Sequence, residues 1–154
     1  MDEMILQMMM AVVGSLGFAI FFNTRGRKLI LIAGGSALST FVYLFVLYKT
    51  QDRVVSTLAG ALVSAAIAEA MARMMKTPVI ILLVPIVIPL VPGGDLYYSM
   101  RYFIMGDSDQ FSISFQFMLK EAAAIAGGMI LVSFMVQLVL KSKRYFNEIR
   151  YDKI

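Results

Sequence analysis

Four stretches of this chain, residues 4–22, 29–48, 54–72 and 115–140, each run nineteen residues or more with no more than two charged side chains apiece. A helix needs about 20 mostly apolar residues to cross a hydrocarbon core of about 30 Å, at about 1.5 Å per residue. A chain of 154 residues has no soluble interior large enough for four such runs. The composition says the same, with 60% of residues in the AVILMFWYC set, 16% charged and a mean hydropathy of +0.80. Soluble domains are closer to half apolar and a quarter charged. The excess must face lipid, so the expected fold class is an all-α integral membrane protein of one transmembrane domain, residues 1–154.

A fifth apolar region, 79–105, contains Pro85, Pro89 and Pro92 followed by Gly93-Gly94. Either it crosses the membrane as one broken span or it dips in and returns. Counting Lys and Arg between the spans decides. If 79–105 crosses, ten fall on one side (Arg25, Arg27, Lys28, Arg73, Lys76 and the five of the tail) and three on the other (Lys49, Arg53, Arg101). If it returns, the split is six against seven. Only the crossing obeys the positive-inside bias. The reading is therefore five spans, the fourth broken at Pro92-Gly93-Gly94, in a multi-pass cell-membrane protein. Its N-terminus is outside and its tail, 141–154, cytoplasmic. The first span reads as a retained anchor, because Asp2-Glu3 precedes it and Arg25-Gly26-Arg27-Lys28 follows where a small-residue cleavage site would belong. The basic-aromatic tail from Lys141 reads as an interfacial anchor against anionic lipid, with a partner-docking patch as the other option.

Absences narrow the chemistry. There is no Cys and no His, which removes thiolates, imidazole bases, disulfides and the usual zinc or haem ligands. No cofactor and no metal are expected. The net charge of +4 lies between apolar runs rather than along one face, so nucleic acid is not an expected partner. No nucleophile–base constellation is visible, which argues against an enzyme and gives no catalytic residues.

Small residues recur every fourth position in the third run: Ser56, Gly60, Ser64, Ala68 and Ala72. They share one helical face and let another backbone approach closely. Similar surfaces occur at Gly14 and Gly17, at Gly34-Gly35, and at 122–128. Packing within one chain accounts for some of these faces. Assembly with other subunits accounts for the surplus.

The stretch 84–95 is the least ordinary. Pro85, Pro89 and Pro92 fall roughly on one helical face, and each lacks a backbone donor. In hydrocarbon a freed backbone carbonyl must be met by protein or water, so such a segment is expected to be buried or to line a wet cavity. Asp95 stands where the cap of a second half-helix should be. That arrangement is the discontinuous helix of transporters, with Pro92, Gly93, Gly94, Asp95, Tyr97 and Tyr98 as candidate substrate or coupling residues. A simple kink followed by a glycine turn is the plainer alternative. Glu69 and Arg73, at i and i+4, are a second candidate, either a proton- or substrate-binding carboxylate or an interfacial ion pair. Lys120 and Glu121 lie about 8 Å inside the fifth span as counted from residue 115.

Several motifs, taken in order, also resemble the threonine/serine exporter family. They are Gly17-Phe-Ala-Ile-Phe-Phe-Asn23 with Arg27, Glu69-Ala-Met-Ala-Arg73-Met-Met-Lys76-Thr-Pro78, and Ile88-Pro-Leu-Val-Pro-Gly93 with Tyr97-Tyr98-Ser-Met. The likeness is to the short form, which matches the C-terminal membrane half of the full-length exporter. It implies a secondary transporter exporting threonine and serine or small organic acids such as succinate, driven by protons. It also implies pairing with a longer subunit resembling the N-terminal half. Asp95 departs from the small or apolar residue expected after Pro-Gly-Gly. An anion there suits an ammonium or a proton and opposes a dicarboxylate. The alternative function is a non-transporting membrane subunit that scaffolds a larger partner.

Overall fold

The computed structural model describes residues 2–151, with side chains from Glu3 to Ser142. Six helices account for nearly all of it: α1 (Asp2–Phe21), α2 (Arg27–Thr50), α3 (Arg53–Met74), α4 (Val79–Val87), α5 (Gly93–Met105) and α6 (Ser108–Tyr151). A single 3-10 turn, Ile88–Leu90, extends α4. The described residues contain no strand. Helices α1, α2, α3 and α6 are each long and apolar enough to cross a membrane. The pair 79–90 and 93–105 passes the same test when counted as one span bent by 60°. This is an all-α, multi-pass membrane architecture. The basic tail's side chains beyond Ser142 lie outside those described.

Short turns dictate the antiparallel order of the first helices. Asn23 takes the left-handed conformation (φ 59°) at the end of α1, and the Thr24 N–H returns to the Ala19 carbonyl at 2.9 Å. This closure satisfies carbonyls left open at a helix end. Lys76 (φ 50°) and Gly106 (φ 74°) close α3 and α5 in the same way. Between α2 and α3, Gln51 turns left-handed and Asp52 caps α3, its Oδ1 accepting from the N–H groups of Val54 (2.8 Å) and Val55 (3.2 Å).

The small-residue face of α3 is wholly buried from Ser56 to Ala72 and forms the centre of the bundle. On one side Gly60 meets Leu90 and the Ser39 carbonyl. On the other, Ala61 and Leu62 meet Gly128 of α6. A Cβ added at Gly128 would sit 2.9 Å from Ala61 Cβ and 3.2 Å from the Leu62 backbone nitrogen, neither of which can swing away. Gly128→Ala is expected to destabilise the protein by about 1–3 kcal/mol through overpacking. Gly127→Ala, with nothing within 4 Å, is expected to leave stability unchanged. Melting curves in detergent compare the two.

The register of α3 against α6 fixes the path of the segment between them. Arg53 lies beside Glu121, Ala61 beside Gly128, and Glu69 beside Ser133. The two helices therefore run in the same direction, and the chain between them returns from the Lys76 end of the bundle to the Arg53 end. The return is complete at Asp95, which pairs with Arg53. Helix α5 and the first turns of α6 then continue as a hairpin past that end. Glu121, counted from the sequence as lying inside a span, is level with the first residue of α3.

The break itself falls at Val91-Pro92, at the front edge of the expected segment. Gly93 and Gly94 are the first residues of α5, without positive φ and with open space around each. Pro92 is the N-cap position and Asp95 lies within the first turn, its side chain making no cap hydrogen bond. Asp95 is thus an ion-pair partner rather than the cap read from the sequence.

Candidate functional site

Five ionisable side chains form two separate groups. At one end, the Arg53 guanidinium donates to Asp95 Oδ2, and the same Nη2 stands 2.8 Å from Glu121 Oε1. Glu121 is only 3% exposed, and its Oε1 accepts no hydrogen bond from the described residues despite the nearby cation. Three elements converge here: the start of α3, the first turn of α5 and the middle of α6. One cation serves two carboxylates, so the cluster carries one negative charge in excess when both are ionised. Sequence reading counted Arg53 only as a loop charge and left Glu121 without a partner. The signal for Arg53 was present, since it immediately follows the cap residue Asp52 and so must project from the first turn of α3.

At the other end, Glu69 is 6% exposed. It accepts from Arg73 Nη2 at 2.7 Å and from Ser133 Oγ at 3.0 Å. The i, i+4 pairing read from the sequence is present, and Ser133 of α6 is an added partner. Sixteen residues of α3 separate Arg53 from Glu69, about 24 Å along the helix. Glu69–Arg73 and Asp95 therefore do not share a site. Tyr97 is 63% exposed on the α5 hairpin, packed edge-on against Tyr98, which stacks in turn on Tyr102.

Two cavities flank the proline segment. The first, about 370 Å³, lies where α1 ends, between Phe18, Phe22, Arg25 and Lys28 on one wall and Ile81, Val84 and Pro85 on the other. The second, about 430 Å³, lies toward the Arg53 end, between Gln7 and Met10 of α1, Thr40 and Tyr43 of α2, and Pro89-Leu90. Pro85 borders one and Pro89 the other, a single helical turn apart. Neither cavity is lined by Pro92, Gly93, Gly94, Tyr97 or Tyr98.

Buried hydroxyls mark the ground between the cavities. Ser15 of α1 lies in the chain between the residues lining the first cavity and those lining the second, and Ser39 of α2 does likewise. Thr40 lines the second cavity itself. All three hydroxyls are buried with no hydrogen-bond partner among the described residues. The contrast is with Thr57 and Ser64 of α3, whose hydroxyls donate to carbonyls four residues back. An unpartnered buried hydroxyl costs free energy that a polar visitor can recover.

Apolar helices, a bent span with a cavity on each side, and an ion cluster at each end define a polytopic membrane protein with polar groups set among its spans. The profile of the threonine/serine exporter family, ThrE, matches residues 7–135, and the chain belongs to that family. No curated protein and no solved structure matches it. The motifs that carried the resemblance now have places. Phe18, Phe22 and Asn23 line the first cavity, Glu69 and Arg73 form the ion pair at the Lys76 end, and Pro89 borders the second cavity.

Proposed function

We propose that this chain is the membrane subunit of a proton-coupled exporter of small amino acids, threonine and serine in the first place. The observation that carries the reading is the pair of cavities on either side of Pro85 and Pro89. A segment with freed backbone carbonyls between two cavities is the arrangement that alternating access requires. The orientation, from the loop charges, puts the Lys28 cavity at the cytoplasmic side and the Arg53 cluster at the outer side. Substrate enters by the first cavity, passes the unpartnered hydroxyls of Ser15 and Thr40, and leaves by the second. Val91-Pro92, with Gly93 and Gly94 behind it, is the hinge between the span and the α5 hairpin.

Asp95 and Glu121 share Arg53, so the excess negative charge there is a place for one proton to ride. Glu69 with Arg73 and Ser133 is the corresponding group on the cytoplasmic side. Arg53 is shared between Asp95 and Glu121, so this end keeps one excess negative charge and still opposes a dicarboxylate. A longer partner subunit or a second copy fits the glycines at 14, 17 and 34, which have no neighbour within 4 Å in this chain. It also fits the exposed Phe103 and Ile104 of the hairpin.

The test is efflux of threonine, serine and succinate from proteoliposomes holding this chain with and without the co-expressed longer subunit. The reading expects threonine and serine efflux accelerated by an inward proton gradient. Asp95→Asn leaves Arg53 and Glu121 matched one to one, so assembly is expected to persist while acceleration by the gradient disappears. Gradient-driven efflux unchanged in that variant removes Asp95 from the coupling. A complex that assembles and moves none of the three substrates leaves the scaffold alternative in its place.

A further inference from the structure

We infer that the cavity at the Lys28 end is the loading site for the zwitterionic head of the exported amino acid. Lys28 and Arg25 take the α-carboxylate, and the backbone carbonyl of Ile81 takes the α-ammonium. The inference rests on the exporter reading and adds to it a place and a chemistry of recognition.

The positive half of the site is uncompensated. Among the described residues, every ion pair involves Arg53 or Arg73, and neither Arg25 nor Lys28 has a carboxylate in reach. Lys28, which lines the cavity, is nevertheless held in place, because its Nζ donates to Thr77 Oγ1 at 2.9 Å. That bond ties the first turn of α2 to the α3–α4 turn and uses one of three ammonium protons, leaving two for a ligand. A fixed ammonium with spare donors beside an apolar wall favours a small anion.

The negative half is supplied by the backbone. In a helix the carbonyl of residue i points at the N–H of residue i+4, and Pro85 has no N–H to offer Ile81. The Ile81 carbonyl therefore points along the face that Pro85 occupies, and both residues line this cavity. Pro89 leaves the Pro85 carbonyl in the same condition one turn further along. An ammonium group can donate to such carbonyls, whereas a carboxylate cannot. Phe18 and Val84 give the short side chain an apolar wall. At about 370 Å³ the cavity is near the small end of the range of roughly 300–1,000 Å³ for small-molecule sites. A dicarboxylate fills only the cationic half, so the site prefers an amino acid to succinate.

This chain contains no Cys, so alkylation read on this chain, resolved by mass from its partner, reports a single introduced thiol. Ile80, on the rim and 65% exposed, is replaced in Ile80→Cys within the full chain co-expressed with the longer subunit. Its rate of alkylation by a maleimide is measured with and without threonine or serine. Phe103→Cys, on the hairpin at the opposite end, is the control. Threonine and serine are expected to slow alkylation at position 80 and not at 103. The matching amino alcohol, which lacks the carboxylate, and succinate, which lacks the ammonium, are expected to have little effect. In the Ile80→Cys background, Lys28→Met is expected to raise the half-protecting concentration tenfold or more through loss of a charge-assisted hydrogen bond, and Lys28→Arg to restore part of it. Equal alkylation rates with and without threonine overturn the loading site. So does protection that survives Lys28→Met, or protection by anionic lipid vesicles that threonine does not add to. Wild-type efflux of threonine without protection overturns the site alone. Protection without efflux under any gradient overturns the exporter reading and leaves the site.

Discussion

Arg53→Met is expected to stop export and to destabilise the protein, and a second substitution, Glu121→Gln, to restore the stability but not the export. The single change leaves Glu121, whose side chain is 5% exposed, facing Asp95 with no cation between them. Removing one partner of a fully buried pair costs about 3–5 kcal/mol. Arg53 itself is 44% exposed at the side chain, so water already screens part of the interaction and about 1–3 kcal/mol is the reasonable expectation. Glu121→Gln removes the deeper of the two stranded carboxylates while keeping the shape, and returns the cluster to one excess negative charge, carried by Asp95 with its side chain 16% exposed. The double variant should therefore melt within about 1 kcal/mol of wild type if the three groups act as one unit. Its efflux should stay at least tenfold down, because the shared proton site no longer exists. Wild-type stability and efflux in Arg53→Met alone would reduce the cluster to a solvated ion pair with no part in transport.

The spans were legible in the sequence because hydropathy in lipid is a one-dimensional signal. Loop charge, read separately, points to a crossing by 79–105, and the parallel register of α3 and α6 brings the chain back across the bundle in that interval. What the sequence hid was depth and partnership. Residues 96–105 and 115–120, assigned to spans from the sequence, form the hairpin beyond Arg53, where Asp95 and Glu121 meet one guanidinium. Glu69 and Asp95 looked like parts of one polar pathway, and only the 22-residue length of α3 keeps them apart. Glycine was also overread at 93–94. Pro92 stops the helix before either glycine is reached, and both then enter α5 with ordinary dihedrals. The buried hydroxyls of Ser15, Ser39 and Thr40 carried no sequence signal, since Ser and Thr on an apolar helix usually bond to their own backbone. Their lack of a partner depends on the three-dimensional surroundings.

Pro89→Ala is expected to separate binding from passage. The substitution leaves the first cavity intact, since Pro89 borders only the second of the two. It gives the Pro85 carbonyl an N–H donor and lets α4 run as regular helix through the present 3-10 turn at Ile88–Leu90. Proline is about 3 kcal/mol less favourable than alanine in a helix interior, and at this helix end a gain of roughly 1–2 kcal/mol in stability is expected. The same gain works against function. A straightened segment loses the cheap distortion by which one cavity could close as the other opens, and exposes one fewer carbonyl to a passing ammonium. Threonine should therefore still protect Ile80→Cys with little change in the half-protecting concentration, while efflux falls at least tenfold. Pro78→Ala, at the N-cap of α4 and outside the helix, supplies the comparison and should leave both unchanged. Efflux at the wild-type rate in a stabilised Pro89→Ala protein would mean that the segment does not move during transport. The two cavities would then belong to a static scaffold, and the moving part would have to be sought in the α5–α6 hairpin.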